Sequence, residues 1–361
     1  MRQILSNLSA NCQLLAVVKA DAYGHGSITV SRVAVSAGAS WLGVATIPEG
    51  IELRRAGITV PILVLGAFTS PDEVRSLVEY HLQPTLTSAQ QVLMCSSVLS
   101  DQDRLTVHLK VDTGMGRLGV NYQQAVQFYE WLSGFPQLVV GSIYSHFATA
   151  DDPDTTILYQ QVDRFQQVLG SLSHRGYTLP PVHLCNTAGM LVDRRLHYHL
   201  VRVGLGIYGY YPAPHFQCQI ALRPALAVKA RITHIKTIPP HTGLSYGHSF
   251  VSDRSMRVAT VAIGYADGLS RGLSNKIFME LHGHQVCQVG NITMDQCLVD
   301  VSVVPQALVG DVVTVLGQRY SAQTWADHLD TIVWEILCGF KHRLPRLTTN
   351  QLAQPALNSF A

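Results

Sequence analysis

The sequence predicts an α/β chain in two parts: an N-terminal (β/α)8 barrel of the TIM type over residues 1–222, then a mostly β C-terminal domain over residues 223–361. Three observations lead there. Up to about Ala221, eight short apolar runs alternate with helical patterns, as in a barrel of parallel strands. No GxGxxG loop follows any of those runs, which argues against a doubly wound dinucleotide-binding sheet. After Pro224 the runs follow one another directly, broken by Gly, Pro and His turns, as in a β-rich domain.

The barrel strands are expected in order at Leu14–Val18, Trp41–Ala45, Ile62–Leu65, Leu82–Thr85, Thr106–Val111, Val139–Ser145, Val182–Cys185 and Val201–Val203. Each is short and largely apolar, like strands buried on both faces. Helices are expected between them, the first over Ser27–Ala37. The next, Pro48–Ala56, opens on a proline and an acid, which suit a first turn. Ser70-Pro71-Asp72-Glu73 offers a serine cap, a first-turn proline and acids at the positive end of the dipole. Thr155–Leu172 carries Leu158, Val162, Phe165 and Leu169 along one amphipathic face. In the second part, strands are expected at Leu226–Ile238, Met256–Ile263, Ile277–Leu281, Val286–Val289, Cys297–Val301 and Val312–Leu316. One helical stretch, Ser321–Phe340, closes it.

Composition narrows the function. With 361 residues, 47% hydrophobic, the chain has ample material for two cores. The net charge is only +2, without a basic tract, so nucleic acid is not an expected partner. No run reaches the ~18 apolar residues of a membrane span, and Met1–Ala10 lacks a signal-peptide core. The seven cysteines are scattered without paired spacing, which reads as reduced thiols of a cytoplasmic protein. No HxxxH or CxxC pair points to a metal site.

A barrel keeps its chemistry at the carboxyl ends of its strands. The first strand runs into Lys19, then Ala20-Asp21-Ala22-Tyr23-Gly24-His25-Gly26, a tight loop before a helix. Most lysines there snorkel into water; a desolvated one loses its proton and acts as an amine nucleophile. The fifth strand leads through Lys110 into Asp112-Thr113-Gly114-Met115-Gly116-Arg117. Those glycines let backbone approach a ligand, and Arg117 offers a planar fork for a carboxylate or phenolate. His146 follows the sixth strand, where a lone histidine is more often packed than catalytic. Asp151-Asp152-Pro153-Asp154 reads as a capped loop leading into a helix. After strands seven and eight, where barrels often bind phosphate, come the Thr187 hydroxyl and the N–H groups of Gly204 and Leu205. Arg202 stands at the same mouth. In the second part, Tyr265 follows an apolar strand at a glycine turn, a place where most tyrosines only pack.

Together and in this order, these stretches resemble the alanine racemase family over nearly the whole chain. The resemblance rests on residues 16–26, 109–119, 142–151, 182–189 and 201–209 of the first part. In the second it rests on Leu244-Ser245-Tyr246-Gly247-His248, on residues 261–268 and 290–297, and on Arg343-Leu344-Pro345-Arg346-Leu347-Thr348. It implies interconversion of L- and D-alanine with pyridoxal 5'-phosphate (PLP), supplying D-alanine for peptidoglycan. It implies a homodimer whose active site is shared across subunits. By the same resemblance, Lys19 holds the cofactor as a Schiff base and serves the D-alanine face of Cα. Tyr265, arriving from the partner subunit, serves the L-alanine face. Tyr23, Thr187, Gly204 and Leu205 contact the phosphate, and His146 lies against the cofactor ring. Arg117 and the backbone at Met294 meet the substrate carboxylate, and Lys110 is carbamylated so that it orients Arg117. Arg202 faces the pyridine nitrogen; an arginine stays protonated, so that nitrogen is denied a full proton and transamination is disfavoured.

Three positions depart from the family's pattern. Asn291 stands where an arginine is usual, Thr348 where a tyrosine is usual, and Thr187 replaces a serine but keeps the hydroxyl. Family members also carry a further strand and turn ahead of the residues matching Met1. The competing readings are another PLP barrel enzyme, either a broad-spectrum amino-acid racemase or a decarboxylase, and a non-enzymatic PLP carrier. Tyr265 and the Met294 loop speak against a carrier, which lacks a second domain.

Overall fold

A computed structural model describes residues 1–340 and 342–349. The chain divides into two compact units: residues 1–23 with 27–226, and residues 24–26 with the chain from Ala227 onward.

The first unit is built on parallel strands. They are β1 (Gln13–Val17), β2 (Trp41–Val44), β3 (Ile62–Val64), β4 (Gln83–Leu86), β5 (Leu105–Asp112), β6 (Val120–Asn121), β7 (Leu138–Tyr144), β8 (Val182–His183) and β9 (Leu200–Val203). The sheet order is β8-β7-β5-β4-β3-β2-β1-β9, with short β6 paired to β5 off that path. The two ends of the run meet: His199 N–H donates to the Val182 carbonyl at 3.2 Å and Arg202 N–H to the Cys185 carbonyl at 3.0 Å. The sheet therefore wraps round as a barrel; its eight expected strands lie within a residue or two of their places, and β6 was not expected.

Caps explain where the intervening helices begin. Thr46 and Glu49 form a reciprocal capping box on the helix Ile47–Arg55, and Ser70 and Glu73 do the same on Pro71–Glu79. The helix Thr156–His174 buries Leu158, Val162, Phe165 and Leu169, the expected face.

The second unit contains β10 (Val228–Ile238), β11 (Gly243–Leu244), β12 (Phe250–Val251), β13 (Met256–Val261), β14 (Phe278–Leu281), β15 (His284–Val289), β16 (Cys297–Asp300) and β17 (Val312–Leu316). Among the described residues, β10-β13-β16-β15-β14-β17 close an antiparallel barrel, and β11 and β12 form a separate hairpin. The β14–β15 turn is His282-Gly283, both at positive φ, as a two-residue hairpin of this twist requires.

One expectation is corrected here. The stretch 321–340 is two helices, Ala322–Leu329 and Val333–Gly339. Asp330 takes φ 52° and ends the first, and the Thr331 N–H reaches back to the Ala326 carbonyl at 3.0 Å. Among the described residues, no helix is long and apolar enough to cross a membrane.

Candidate active site

Lys19 lies two residues beyond the end of β1 and is half-buried. The backbone after it does not form an ordinary loop. Ala20, Asp21, Ala22 and Tyr23 stand at φ 53°, 51°, 53° and 51°, a turn of left-handed helix without a glycine. Each such residue costs roughly 1–2 kcal/mol, so the surroundings must impose the turn. They do so by hydrogen bonds and packing. The Glu49 carboxylate accepts from Ala20 N–H at 2.7 Å, Ala45 N–H at 2.7 Å and Thr46 N–H at 3.2 Å. Asp21 Oδ1 accepts from Ser27 N–H at 2.7 Å. Tyr23 packs on Tyr208 with ring centroids 4.9 Å apart, and the Tyr208 hydroxyl donates to the Val17 carbonyl at 2.7 Å.

The barrel mouth is strongly cationic. Burial first, then Arg202, Arg117 and Lys19, push the Lys110 amine down to about 8 against the opposing pull of Asp112. Asp112 offsets this only in part. Its Oδ1 already accepts from the N–H groups of Gly114 at 2.9 Å, Met115 at 2.9 Å and Gly116 at 3.1 Å. Arg117 is exposed at the rim of that loop. The Tyr144 ring lies 5.8 Å from Lys110 Nζ and 5.2 Å from Arg202 Cζ, and its hydroxyl meets Thr85 Oγ1 at 2.7 Å.

Arg202 is 3% exposed, and both of its terminal nitrogens are engaged. One terminal nitrogen donates to His183 Nδ1 at 2.7 Å. The other donates to the Ser145 carbonyl at 2.7 Å, the Leu184 carbonyl at 2.9 Å and His146 Nδ1 at 3.0 Å. Burial lowers its guanidinium to about 10, which leaves it charged at neutral pH. Burial, followed by the charges of Arg202, Lys110, Arg117 and Lys19, holds His146 well below the usual histidine range. Its Nδ1 accepts, so its one ring hydrogen sits on Nε2.

A second group of predicted residues converges beside these. Thr187 opens the helix Thr187–Val192, and its Oγ1 accepts from Gly204 N–H at 3.3 Å. Gly204 precedes the short helix Leu205–Tyr208. A Cβ on Gly204 would lie 2.6 Å from the Tyr23 hydroxyl, so only glycine lets Tyr23 come this close. Tyr23, Thr187, Gly204 and Leu205 thus gather in one place.

Tyr265 and Met294 belong to the second unit and meet through backbone. Tyr265 N–H donates to the Thr293 carbonyl and Ala266 N–H to the Met294 carbonyl, both at 3.0 Å. A Cβ on Gly264 would lie 2.2 Å from the Thr293 carbonyl oxygen, which explains the glycine before the tyrosine. Tyr265 is 44% exposed and Met294 53%. Asn291 turns its amide to the Tyr246 carbonyl at 2.6 Å.

The donor set suits an anionic, aldehyde-bearing cofactor such as PLP. It provides a strand-end amine among cations, an excess of positive charge for phosphate and carboxylate, and a hydroxyl beside backbone N–H groups. Glu49, His183, Ser142 and His108 were not singled out in the sequence. A signal for the last two was present: polar residues alternate along β5 (His108, Lys110) and β7 (Ser142, Tyr144), and alternate strand positions share a face.

Comparison with known proteins places the chain in context. Residues 1–212 match the alanine racemase N-terminal domain family and residues 225–348 the alanine racemase C-terminal domain family. An alanine racemase of Nostoc sp. is 50% identical over 354 residues, 96% of this chain and 92% of that protein. One of Synechocystis sp. is 50% identical over 352 residues, 96% and 95% of the two chains. Among solved structures, the alanine racemase from Bacillus anthracis with bound L-Ala-P superposes with a TM-score of 0.90 at 33% identity, over 97% of this chain and 92% of that one.

Proposed function

The chain belongs to the alanine racemase family, whose members are PLP-dependent, and we propose that it interconverts L- and D-alanine with Lys19 and Tyr265 as bases on opposite faces of Cα. One observation carries the reading: Lys19 follows the first barrel strand, and its charge, with those of Arg202 and Arg117, is felt at the buried Lys110 of β5. An amine at that end of a barrel strand is placed to bond to an aldehyde.

When bound, PLP withdraws electrons and acidifies the Cα–H bond of the substrate amino acid. Lys19 Nζ would hold the cofactor, and the same amine would take or return the proton on the D-alanine face. The Tyr265 hydroxyl does so on the L-alanine face. Free tyrosine titrates near ~10, so a base at neutral pH needs neighbouring charge. The His146–Arg202 pair of the facing subunit would supply it, the ring hydrogen on His146 Nε2 donating to the phenolate. Arg202, still charged at neutral pH, would hold the cofactor ring from its side and oppose its taking up a further proton. Tyr23, Thr187, Gly204 and Leu205 hold the phosphate. Arg117 and the Met294 backbone hold the substrate carboxylate, and a carbamylated Lys110 orients Arg117.

The exposure of Tyr265, Met294 and Tyr246, the last at 76%, supports a homodimer in which a second copy covers them. Free thiols at Cys12, Cys95, Cys185, Cys218, Cys287 and Cys297 suit a reducing cytoplasm. The enzyme would then supply D-alanine for peptidoglycan.

The test combines three measurements. Borohydride treatment of the holoenzyme should fix the cofactor on Lys19, located by peptide mapping. In D2O, L-alanine should acquire deuterium at Cα and yield D-alanine, not CO2. Tyr265→Phe should slow the L-to-D direction by about a hundredfold or more while PLP loading stays intact. An unmodified Lys19, or unchanged L-to-D turnover in Tyr265→Phe, refutes the assignment.

A further inference from the structure

A line of polar side chains crosses the first barrel, and all but the residues nearest its mouth lie outside the proposed chemistry. From Arg202 Nη1 it passes to His183 Nδ1 at 2.7 Å, then from His183 Nε2 to Ser142 Oγ at 2.9 Å. Ser142 Oγ meets His108 Nδ1 at 2.6 Å, and His108 Nε2 meets Gln83 Oε1 at 2.9 Å. These residues come from β9, β8, β7, β5 and β4 in turn. All but Gln83 are buried. A parallel barrel ordinarily fills this space with branched aliphatic side chains. A polar line there is tolerated only if every bond is made.

Every hydrogen in this line has a determined direction. A guanidinium has no acceptor, so His183 Nδ1 must accept from Arg202. Burial and the Arg202 charge keep His183 neutral, and burial holds His108 down to about 3. The single ring hydrogen of His183 is therefore on Nε2 and is donated to Ser142 Oγ. At the far end the Gln83 carbonyl oxygen can only accept, so the ring hydrogen of His108 is on Nε2, His108 Nδ1 accepts, and the serine hydroxyl passes its own hydrogen there. The two ends, a pure donor and a pure acceptor, demand the same polarity.

The geometry points to Ser142, His108 and Gln83 as positioning residues: they lock His183 in its Nε2–H tautomer and so hold the Arg202 guanidinium in one orientation. In the other tautomer, two N–H groups would face each other across the His183–Arg202 contact. The catalytic consequence rests on the reading of Arg202 given above; the hydrogen directions do not.

The test is nitrogen-15 NMR of histidine-labelled holoenzyme at neutral pH, with ring nitrogens assigned by through-bond correlation. Both His183 and His108 should carry the hydrogen on Nε2 and none on Nδ1. A hydrogen on Nδ1 of either ring overturns the proposal. Ser142→Ala removes the central hydroxyl and Ser142→Thr keeps it. In Ser142→Ala, His108 should lose its single tautomer, and kcat should fall roughly tenfold with a smaller change in KM, the worth of about one buried hydrogen bond. Ser142→Thr should restore both. A Ser142→Ala enzyme with unaltered ring signals, or with an unaltered kcat, overturns the positioning role. The ring nitrogens are read without turnover, so the chain can fail while the racemisation reading stands, and the reverse.

Discussion

Lys110 is 5% exposed and surrounded by cations, and burial leads the causes that lower its amine to about 8. The sign of its effect on stability follows. Below about 8 the amine is charged in both folded and unfolded chains, and the folded state bears the full penalty of the buried charge. Between about 8 and the unfolded value of 10.5 the folded chain has already released its proton, so stability rises with pH across that window. In CO2-free buffer at pH 7, Lys110→Met should therefore stabilise the fold by on the order of 3 kcal/mol and abolish the rise. Denaturant unfolding at a series of pH values checks both. A pKa near 8 also leaves about a tenth of the amine neutral at pH 7, far more than for an ordinary lysine. Only that form reacts with CO2. With carbon-13 bicarbonate, a carbamate resonance should appear, strengthen from pH 6 to pH 8, and vanish in Lys110→Met. A resonance that survives the substitution belongs to another amine.

At the scale of elements, the segment after Lys19 carries the most conformational strain. Ala20 is exposed, so its methyl group adds left-handed strain without compensating burial. Ala20→Gly should raise stability by about 1 kcal/mol, a Tm gain of about 2 °C, with PLP loading retained. A lower Tm would show that the strain at this position is already relieved by its neighbours. This turn was illegible in the sequence for a physical reason. A run of residues with Cβ atoms and no glycine gives no local sign of positive φ, which comes here from Glu49 and from Tyr23 packing on Tyr208. Glu49 itself was visible as a helix-start acid, but its bond to Ala20 spans 29 residues. The break at Asp330 was hidden in the same way, since neither glycine nor proline marks it. Most barrel strands were legible as short, largely apolar runs bounded by turn and helix signals, whereas short β6 carries no such run. Lys19, Tyr23, Thr187 and Arg202 were visible as strand-end residues. The polar line behind Arg202 was not, because it joins single residues from separate strands through side-chain bonds alone.

At the scale of the molecule, the proposed bases are divided: Lys19 belongs to the first unit and Tyr265 to the second. Whether one chain or two supplies a working pair can be decided by complementation. Lys19→Ala and Tyr265→Phe should each be inactive from L to D as homodimers. Co-expressed with different tags and purified through both, they give mixed dimers. In a shared arrangement, one site of each mixed dimer pairs the two lesions, while the other pairs the intact Lys19 with the intact Tyr265. Without tag selection, random pairing makes about half of the dimers mixed, so about a quarter of wild-type sites should be active. If both bases came from one chain, every site of the mixed dimer would lack one of them and no activity would return. Recovered L-to-D turnover therefore requires Tyr265 to act across the interface, and its absence from a verified mixed dimer would assign each site to a single subunit.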